Sequence, residues 1–199
     1  MKLYHTPGAC SQAPHIALNE AGLAFDRVKV DIPTRKTETG GDYTKVNPKG
    51  YVPALVLDDG EVLTENVAIL SWIAEQAPHL IPAGPLGRIR MIEALGFMTE
   101  EIHKPFLGFM FMPGEAKEMN RKAIEGRFTY LARQLKGDYL FGDQFSAADA
   151  FLFVMTNWGK GFGITPPPEL LAYHARVSTR PAVQKTLDTE GIRDVSLPG

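Results

Sequence analysis

One stretch of this chain, residues 50–72, constrains the fold more than any other. Its sequence is GYVPALVLDDGEVLTENVAILSW. Proline has no N–H to donate to a sheet ladder, so Pro53 belongs at the beginning of the apolar strand 54–57, and the Val52–Pro53 bond is a candidate cis peptide. Asp58-Asp59-Gly60 is typical of a tight turn. The stretch therefore predicts a β-hairpin that leads directly into a helix.

The helix after this hairpin begins near Thr64-Glu65-Asn66 and ends at Pro78, with apolar residues at helical spacing between them. Amide groups at a helix N-terminus lack partners within the helix and favour anionic groups, so this is a suitable place to hold a small ligand with a carboxylate. The alternative is an ordinary helix that Thr64 or Asn66 caps and whose dipole Glu65 complements. This stretch alone leaves both interpretations open.

The first 77 residues predict an α/β domain of thioredoxin-like order. A strand at 2–6 is followed by Pro7-Gly8 and by a helix that opens at Ala9-Cys10-Ser11, and a second strand covers 25–30. Residues 31–50 are polar and predict at most one short helix, near 42–46. With the hairpin and its helix, the order is β-α-β-α-β-β-α.

The rest of the chain predicts an all-helical domain at 88–199, after a linker rich in proline and glycine at 78–87. Its first helix begins near Arg88, and we expect Pro105 to bend or break it. Ser146 and Asp149 have the spacing of a capping box, which begins an apolar helix that ends near Trp158 and that we expect to be the buried axis. Two further helices are predicted at 169–177 and 181–188.

Composition excludes several classes of function. The 199 residues carry a net charge of -2 without a basic cluster, so we expect no nucleic-acid partner. The longest apolar run, 150–155, is too short to span a membrane, and the start of the chain has no secretory signal. A single cysteine and the absence of Cys/His spacing typical of metal ligands favour a cytoplasmic protein without a metal.

Cys10 is the first candidate for chemistry. In the first turn of a helix, a thiol meets free N–H groups and the positive end of the helix dipole, which favour the thiolate. The alternative is a buried cysteine that acts as a small apolar residue. Because Ala13 stands where a redox motif would have its second cysteine, any thiol exchange needs a second thiol from outside the chain.

Two further residues are candidates for binding or proton transfer. His103 precedes the expected break at Pro105, and an imidazole is the usual group for proton transfer near neutral pH. The alternative is a histidine on a helix surface. Arg35 lies in the polar loop after the second strand, where it is solvated unless an anionic ligand lies across the hairpin.

Five motifs together resemble the bacterial glutathione S-transferases of the beta class over essentially the whole chain. They are KLYHTPGACSQAPHIAL, TRKTETGGDYTKVNPKGYVPALVLDDGEVLTENVAIL, EEIHK, FSAADAFLF and RPAVQKTL. The resemblance implies the glutathione transferase fold, with a thioredoxin-like domain that binds glutathione, an all-α C-terminal domain and a two-fold homodimer. Glutathione would then be the co-substrate.

The resemblance also implies roles for individual residues. Cys10 would lie beside the glutathione sulfur, with His103 facing it from the helical domain. The remaining implied contacts to glutathione are the backbone of Val52 before cis-Pro53 for the cysteinyl residue, Glu65 and Asn66 for the γ-glutamyl end, and Arg35 for the glycine carboxylate.

Some positions depart from the family pattern. Asn66 stands where glycine or serine is usual, Gly96 where asparagine is frequent, and Glu100 where threonine or serine is usual, while Arg35 replaces a lysine and keeps its charge. The changes at Gly96 and Glu100 remove polar groups near the ligand, and Glu100 adds a negative charge. We therefore expect weaker or differently arranged glutathione binding.

These residues are consistent with three functions. In the first, a helix N-terminus, a thiol donor and an imidazole lower the pKa of the glutathione thiol, and its thiolate attacks small hydrophobic electrophiles. In the second, Cys10 carries out disulfide exchange with glutathione, and in the third the protein binds hydrophobic ligands or another protein without catalysis. The expected electrophile site, whose members could equally be plain helical core, comprises Phe106, Phe109, Met110 and Trp158.

Overall fold

A computed structural model describes residues 1–192 of the chain. Its mixed five-stranded sheet has the order β3-β2-β1-β4-β5, in which β1 and β2 are parallel and the other neighbours are antiparallel. The thioredoxin-like arrangement predicted for the first 77 residues is therefore confirmed. The strands are β1 (Lys2–His5), β2 (Asp26–Asp31), β3 (Lys36–Thr37), β4 (Ala54–Val56) and β5 (Val62–Thr64).

The hairpin of β4 and β5 forms as predicted, with Leu55 opposite Leu63 and a cis peptide bond between Val52 and Pro53. Strand β3 was not predicted. It is two residues long and polar, and it pairs with the end of β2 at the sheet edge. So short an edge strand has no alternation of apolar residues by which the sequence could reveal it.

Eight α-helices are present in the described part of the chain, and from α3 onward they form the all-helical half. The division at 1–77, 78–87 and 88–199 remains our proposal, and its last seven residues lie outside the described part. The helices are α1 (Gln12–Glu20), α2 (Asn66–Gln76), α3 (Gly87–Met98), α4 (Lys104–Phe111), α5 (Gly114–Gln134), α6 (Ala147–Gly161), α7 (Pro168–Ser178) and α8 (Pro181–Glu190).

The expected break at Pro105 was wrong. A π-helical segment at Thr99–His103 joins α3 to α4, and Pro105 lies in the first turn of α4. A proline is tolerated in the first turn of a helix, and the wider π turn before it changes the hydrogen-bond ladder where the proline has no N–H. The chain therefore passes His103 without leaving helical structure.

Helix α6 is the buried axis of the helical half, as predicted. Its capping box forms, with the Ser146 backbone N–H and hydroxyl both donating to Asp149 Oδ2. Helix α1 packs against both α6 and α8, so the loop between β1 and α1 lies where the sheet and the helices meet. Within residues 1–192 no helix combines the length and the hydropathy needed to cross a bilayer.

Candidate functional site

Cys10 lies in the turn that leads into α1, one residue before the N-cap Ser11. Its expected place in the first turn of the helix was therefore wrong. The turn forms because Pro7-Gly8 ends β1, after which the Ala9 amide donates to the carbonyl of Thr6. Cys10 thus projects from the junction of sheet and helices and stays partly exposed.

The Cys10 side chain is a thiol and not a thiolate at neutral pH. Burial raises its pKa to about 11, and hydrogen bonds from Asn66 and from backbone amides lower it only in part. The thiol donates to the Val52 carbonyl oxygen, with Sγ and O 3.5 Å apart. The expected preference for thiolate was therefore wrong, because loss of solvent outweighs the nearby N–H groups.

Glu65 occupies the N-cap position of α2 with a positive φ of 71°. The expected cap at Thr64 or Asn66 was therefore wrong. The Glu65 side chain bonds no helix amide and instead accepts hydrogen bonds from Lys49 and from the Tyr51 hydroxyl. The lysine ammonium lowers the pKa of this carboxyl, and the unusual φ shows that the surroundings hold the residue in place.

Asn66, the first residue of α2, is buried and incompletely hydrogen-bonded. Its side chain reaches the Cys10 sulfur, and among residues 1–192 its Oδ1 atom has no hydrogen-bond donor. A buried acceptor without a partner costs about 1–3 kcal/mol. This unpaired acceptor therefore lies inside the protein, next to the Cys10 loop.

Arg35 lies in the turn between β2 and β3, and Val52 lies in the loop before β4. Arg35 also has a positive φ, of 55°. Its guanidinium packs over Gly50, where an added Cβ would come within 3.0 Å of Arg35 Nε. The Arg35 cation therefore lies beside Gly50, two residues before Val52. The Val52 carbonyl oxygen is the one that accepts the hydrogen bond from the Cys10 thiol.

His103 faces the same region from the helical half. Its ring packs 5.3 Å from that of Trp158, and the Trp158 indole N–H donates to the Gly8 carbonyl oxygen at 2.9 Å. Burial lowers the pKa of His103 to about 4. The negative charge of Glu65 raises this pKa, but by less than burial lowers it. At neutral pH the imidazole is uncharged, so it supplies no cation to the site.

The expected electrophile site is not formed as a set. Phe106 has no exposed surface and packs on Phe128 and Phe162. Phe109 is 5% exposed and lies beneath the cations of Lys117 and Arg121. The expectation was therefore wrong for these two phenylalanines and for Trp158, which is also 5% exposed and belongs to the core, while Met110 is partly buried.

A buried polar cluster that sequence reasoning missed fixes the Cys10 loop. Glu190, at the end of α8, accepts hydrogen bonds at Oε2 from the Gly8 amide (2.9 Å) and from Gln12 Nε2 (3.0 Å), and at Oε1 from His15 Nδ1 (2.7 Å). His15, the nearby His5 and the Gly8 amide lower its pKa to about 2 in spite of its burial. No local pattern could reveal this contact between residues so far apart in the chain.

The same cluster has the residue types of a metal site. Ligand atoms of His5, His15 and Glu190 lie within 4.8 Å of one another. The spacing of cysteines and histidines along the chain does not reveal this group, because Glu190 is far from both histidines in the sequence. Both carboxylate oxygens already accept hydrogen bonds, so the network accounts for the arrangement and we propose no metal there.

Two departures from the family pattern have clear surroundings. Glu100 is exposed in the π segment and forms an ion pair with Lys104, which partly neutralises its charge. Gly96 lies within α3, and an added Cβ would meet no atom within 4 Å. Neither position therefore disturbs the fold.

Comparison with family models identifies the chain. A glutathione S-transferase N-terminal domain model matches residues 8–76, and a glutathione S-transferase C-terminal domain model matches residues 100–190. The chain belongs to the glutathione S-transferase family. The first match contains Cys10, Val52 and Glu65, and the second contains His103.

Individual relatives agree with this assignment. The glutathione S-transferase GstA of Escherichia coli O157:H7 is 39% identical over 97% of this chain and the whole of that protein. The beta-class enzyme of Sphingomonas chungbukensis is 49% identical, with a TM-score of 0.89 over 96% of this chain and all of its own. A sphingomonad glutathione S-transferase complexed with glutathione is 47% identical, with the same TM-score and coverage. The chain is accordingly a beta-class glutathione transferase.

Proposed function

We propose that this transferase binds glutathione between Cys10 and the N-terminus of α2 and activates its thiol for attack on small hydrophobic electrophiles. The observation that carries the proposal is that the Cys10 thiol contacts the Val52 backbone beside cis-Pro53, where the Cys10 sulfur also lies near Asn66 at the N-terminus of α2. A related structure contains glutathione.

The other anchors match the chemistry of the tripeptide. The backbone of Val52 at cis-Pro53 lies outside the sheet ladder and can pair with the cysteinyl residue. Glu65 offers a carboxylate to the γ-glutamyl ammonium group, and Arg35 offers a guanidinium to the glycine carboxylate. These assignments place the ligand thiol near the Cys10 thiol.

The protonated state of Cys10 suits it to the role of hydrogen-bond donor. Its S–H now points to the Val52 carbonyl and can turn to a glutathione thiolate, whose negative charge makes it the stronger acceptor. The proton that the glutathione thiol loses passes to solvent, because burial lowers the pKa of His103 to about 4 and its imidazole does not hold a proton at neutral pH. The thiolate then forms the new C–S bond with the electrophile, whose leaving group departs with the bonding electron pair.

Two measurements test binding and turnover together. We expect the protein to be retained on immobilised glutathione and to conjugate a generic aryl halide. Asn66→Ala should raise the Kd for glutathione about tenfold, the effect of one lost hydrogen bond in a buried site. Gln76→Ala, at the exposed far end of the same helix, is the control and should leave the Kd unchanged. Absence of retention would reject the proposal.

A second candidate activity is thiol–disulfide exchange, which the partial exposure of Cys10 favours. The Cys10 thiolate would attack glutathione disulfide, form a mixed disulfide and release one glutathione thiolate. With a pKa of about 11, roughly one Cys10 in ten thousand is ionised at pH 7. We therefore expect exchange to be slow relative to conjugation, and Cys10→Ala to abolish exchange while conjugation persists.

The alternative is a binding protein without catalysis, motivated by Gly96 and Glu100. Measurable turnover of the aryl halide by protein that is retained on glutathione would exclude it. The ion pair between Glu100 and Lys104 argues against strong repulsion of an anionic ligand, because paired exposed charges are largely screened.

We further propose a cytoplasmic homodimer. Leu86 and Ile89 at the start of α3 are each 55% exposed. A surface cavity of about 430 Å³ between α3 and α5 is lined by residues that include Phe97 and Tyr130. A second copy covering this face would bury these apolar side chains. Light scattering should give twice the monomer mass, and Phe97→Glu should reduce it to the monomer.

A further inference from the structure

Three side chains form a cluster at the edge of the proposed glutathione site, which we name the Glu65 clamp: Lys49, Tyr51 and Glu65. The Lys49 ammonium donates to Glu65 Oε1 and, at 2.9 Å, to the hydroxyl oxygen of Thr64. The Tyr51 hydroxyl donates to the same Oε1 atom at 2.9 Å. Lys49 Nζ also lies 5.9 Å from the centre of the Tyr51 ring. The three members therefore contact one another in pairs.

The clamp holds only one side of the carboxylate. Within residues 1–192, every hydrogen bond that the Glu65 side chain accepts goes to Oε1. A carboxylate oxygen has two lone pairs, so two donors occupy Oε1 fully. Oε2 keeps both of its lone pairs for a donor that is not part of the chain.

The loop that carries Lys49 and Tyr51 is itself anchored. The Tyr51 carbonyl oxygen accepts hydrogen bonds from the Tyr43 hydroxyl at 3.0 Å and from Asn47 Nδ2 at 2.7 Å. Asn47 Oδ1 also accepts a hydrogen bond from the backbone N–H of Lys49, at 3.1 Å. Because Tyr43 and Asn47 are buried, the two donors of the clamp start from fixed backbone positions. Such preorganisation reduces the ordering cost of binding.

The backbone of Glu65 is held in the same way. Its carbonyl oxygen accepts the Ile69 amide at 3.0 Å as the first hydrogen bond of α2, and its φ of 71° is one that few residues other than glycine adopt. With the backbone and Oε1 both fixed, the direction of Oε2 is fixed as well. The clamp therefore holds the free acceptor, Glu65 Oε2, in one orientation at the N-terminus of α2.

We infer that Lys49 and Tyr51 are positioning residues that hold Glu65 so that Oε2 receives the ammonium group of the γ-glutamyl end, which makes the site selective for thiol peptides with a free α-amino group. The inference rests on the proposed glutathione binding and adds a basis for its selectivity. Neither residue needs to contact the ligand, because both act through the orientation of Glu65.

The test compares glutathione with glutaryl-cysteinylglycine, which lacks only the ammonium group. Lys49→Met and Tyr51→Phe should each raise the Kd and the KM for glutathione about threefold to tenfold, the range for a charge-assisted hydrogen bond at a partly exposed site. The Kd for the glutaryl analogue, measured by calorimetry, should not change, and kcat should stay within about twofold. Lys49→Arg should restore the wild-type KM, because it keeps the charge and the donors.

The control is Lys45→Met, an exposed lysine of the same loop that makes no contact with the clamp, and it should leave both dissociation constants unchanged. A lower KM in Lys49→Met would overturn the inference, since it would show that the lysine competes with the ligand ammonium group. Equal weakening of both ligands would also overturn it, because that result indicates a general loss of loop structure.

Failure of the inference is distinguishable from failure of the proposed function. If the wild-type protein binds glutathione and both variants bind it equally well, only the positioning role is wrong. If the wild-type protein binds neither glutathione nor the glutaryl analogue, the proposed function and the inference fail together.

Discussion

Replacement of Glu190 by glutamine tests how the buried cluster at the end of α8 stabilises the site. The pKa of Glu190 is lowered from 4.5 to about 2, in spite of its burial, by His15, by His5 and by the hydrogen bond from the Gly8 amide. Because folding lowers this pKa, the ionised carboxylate contributes about 3 kcal/mol to the free energy of unfolding at pH 7. Glutamine imitates the protonated form, because it keeps the shape and one acceptor oxygen.

The expected result of Glu190→Gln is therefore a loss of about 3 kcal/mol in the free energy of unfolding at pH 7. The melting temperature should fall by about 6–12 °C for a chain of this size. Urea unfolding followed by circular dichroism measures the first quantity, and calorimetry measures the second. The exposed Glu125, replaced by glutamine in the same way, is the matched control and should change the free energy by less than about 0.5 kcal/mol.

The pH dependence has a definite sign. A carboxyl whose pKa is lower in the folded protein contributes stability above its unfolded pKa of 4.5 and loses that contribution as the pH falls toward 2. The difference between wild type and Glu190→Gln should therefore narrow by about 1 kcal/mol between pH 7 and pH 4. A difference below 1 kcal/mol at pH 7, or one that stays constant to pH 4, would refute this account of the cluster.

Three further predictions concern single residues. Gly96→Ala should raise the free energy of unfolding by about 0.5–1 kcal/mol in urea titrations, because Gly96 lies within α3 and its Cβ would meet no atom within 4 Å. Trp158→Phe should lower it by about 1–2 kcal/mol and raise the KM for glutathione, since it removes the indole donor to the Gly8 carbonyl. Alkylation of Cys10 by iodoacetamide should accelerate continuously from pH 7 to about pH 10, because the pKa of the thiol is raised to about 11.

Each of these predictions has an outcome that contradicts it. Destabilisation by Gly96→Ala would show that α3 needs the freedom of glycine, and an unchanged KM in Trp158→Phe would separate the indole from the site. An alkylation rate that levels off near pH 7 would mean that the thiol is ionised in solution. A single cysteine makes the alkylation specific.

Local chemistry was enough to predict much of the fold. Pro53 before an apolar strand indicated the cis peptide bond, Asp58-Asp59-Gly60 the hairpin, and Ser146 with Asp149 the capping box. Each of these features depends on residues within a few positions of one another. These three features can therefore be predicted without knowledge of the remaining chain.

The stretch 50–72 also indicated where the site would lie, but its details came from partners elsewhere. Glu65 and Asn66 do begin a helix at the proposed site, yet the sequence did not reveal that Glu65 pairs with Lys49 and Tyr51. The two-residue strand β3 was missed for a related reason. Side-chain pairing across a loop leaves no periodic pattern in the sequence.

Only the tertiary structure decided the chemical state of the site. The amino-acid sequence by itself determined where α1 and α3 begin to within a few residues, together with the family to which the chain belongs. Burial then set the pKa values of Cys10 and His103, enclosed Phe106 in the core and brought Glu190 to the Cys10 loop. A side chain loses solvent because residues from many parts of the chain pack around it. The resulting pKa shifts therefore arise only when the sheet and the helices have packed together.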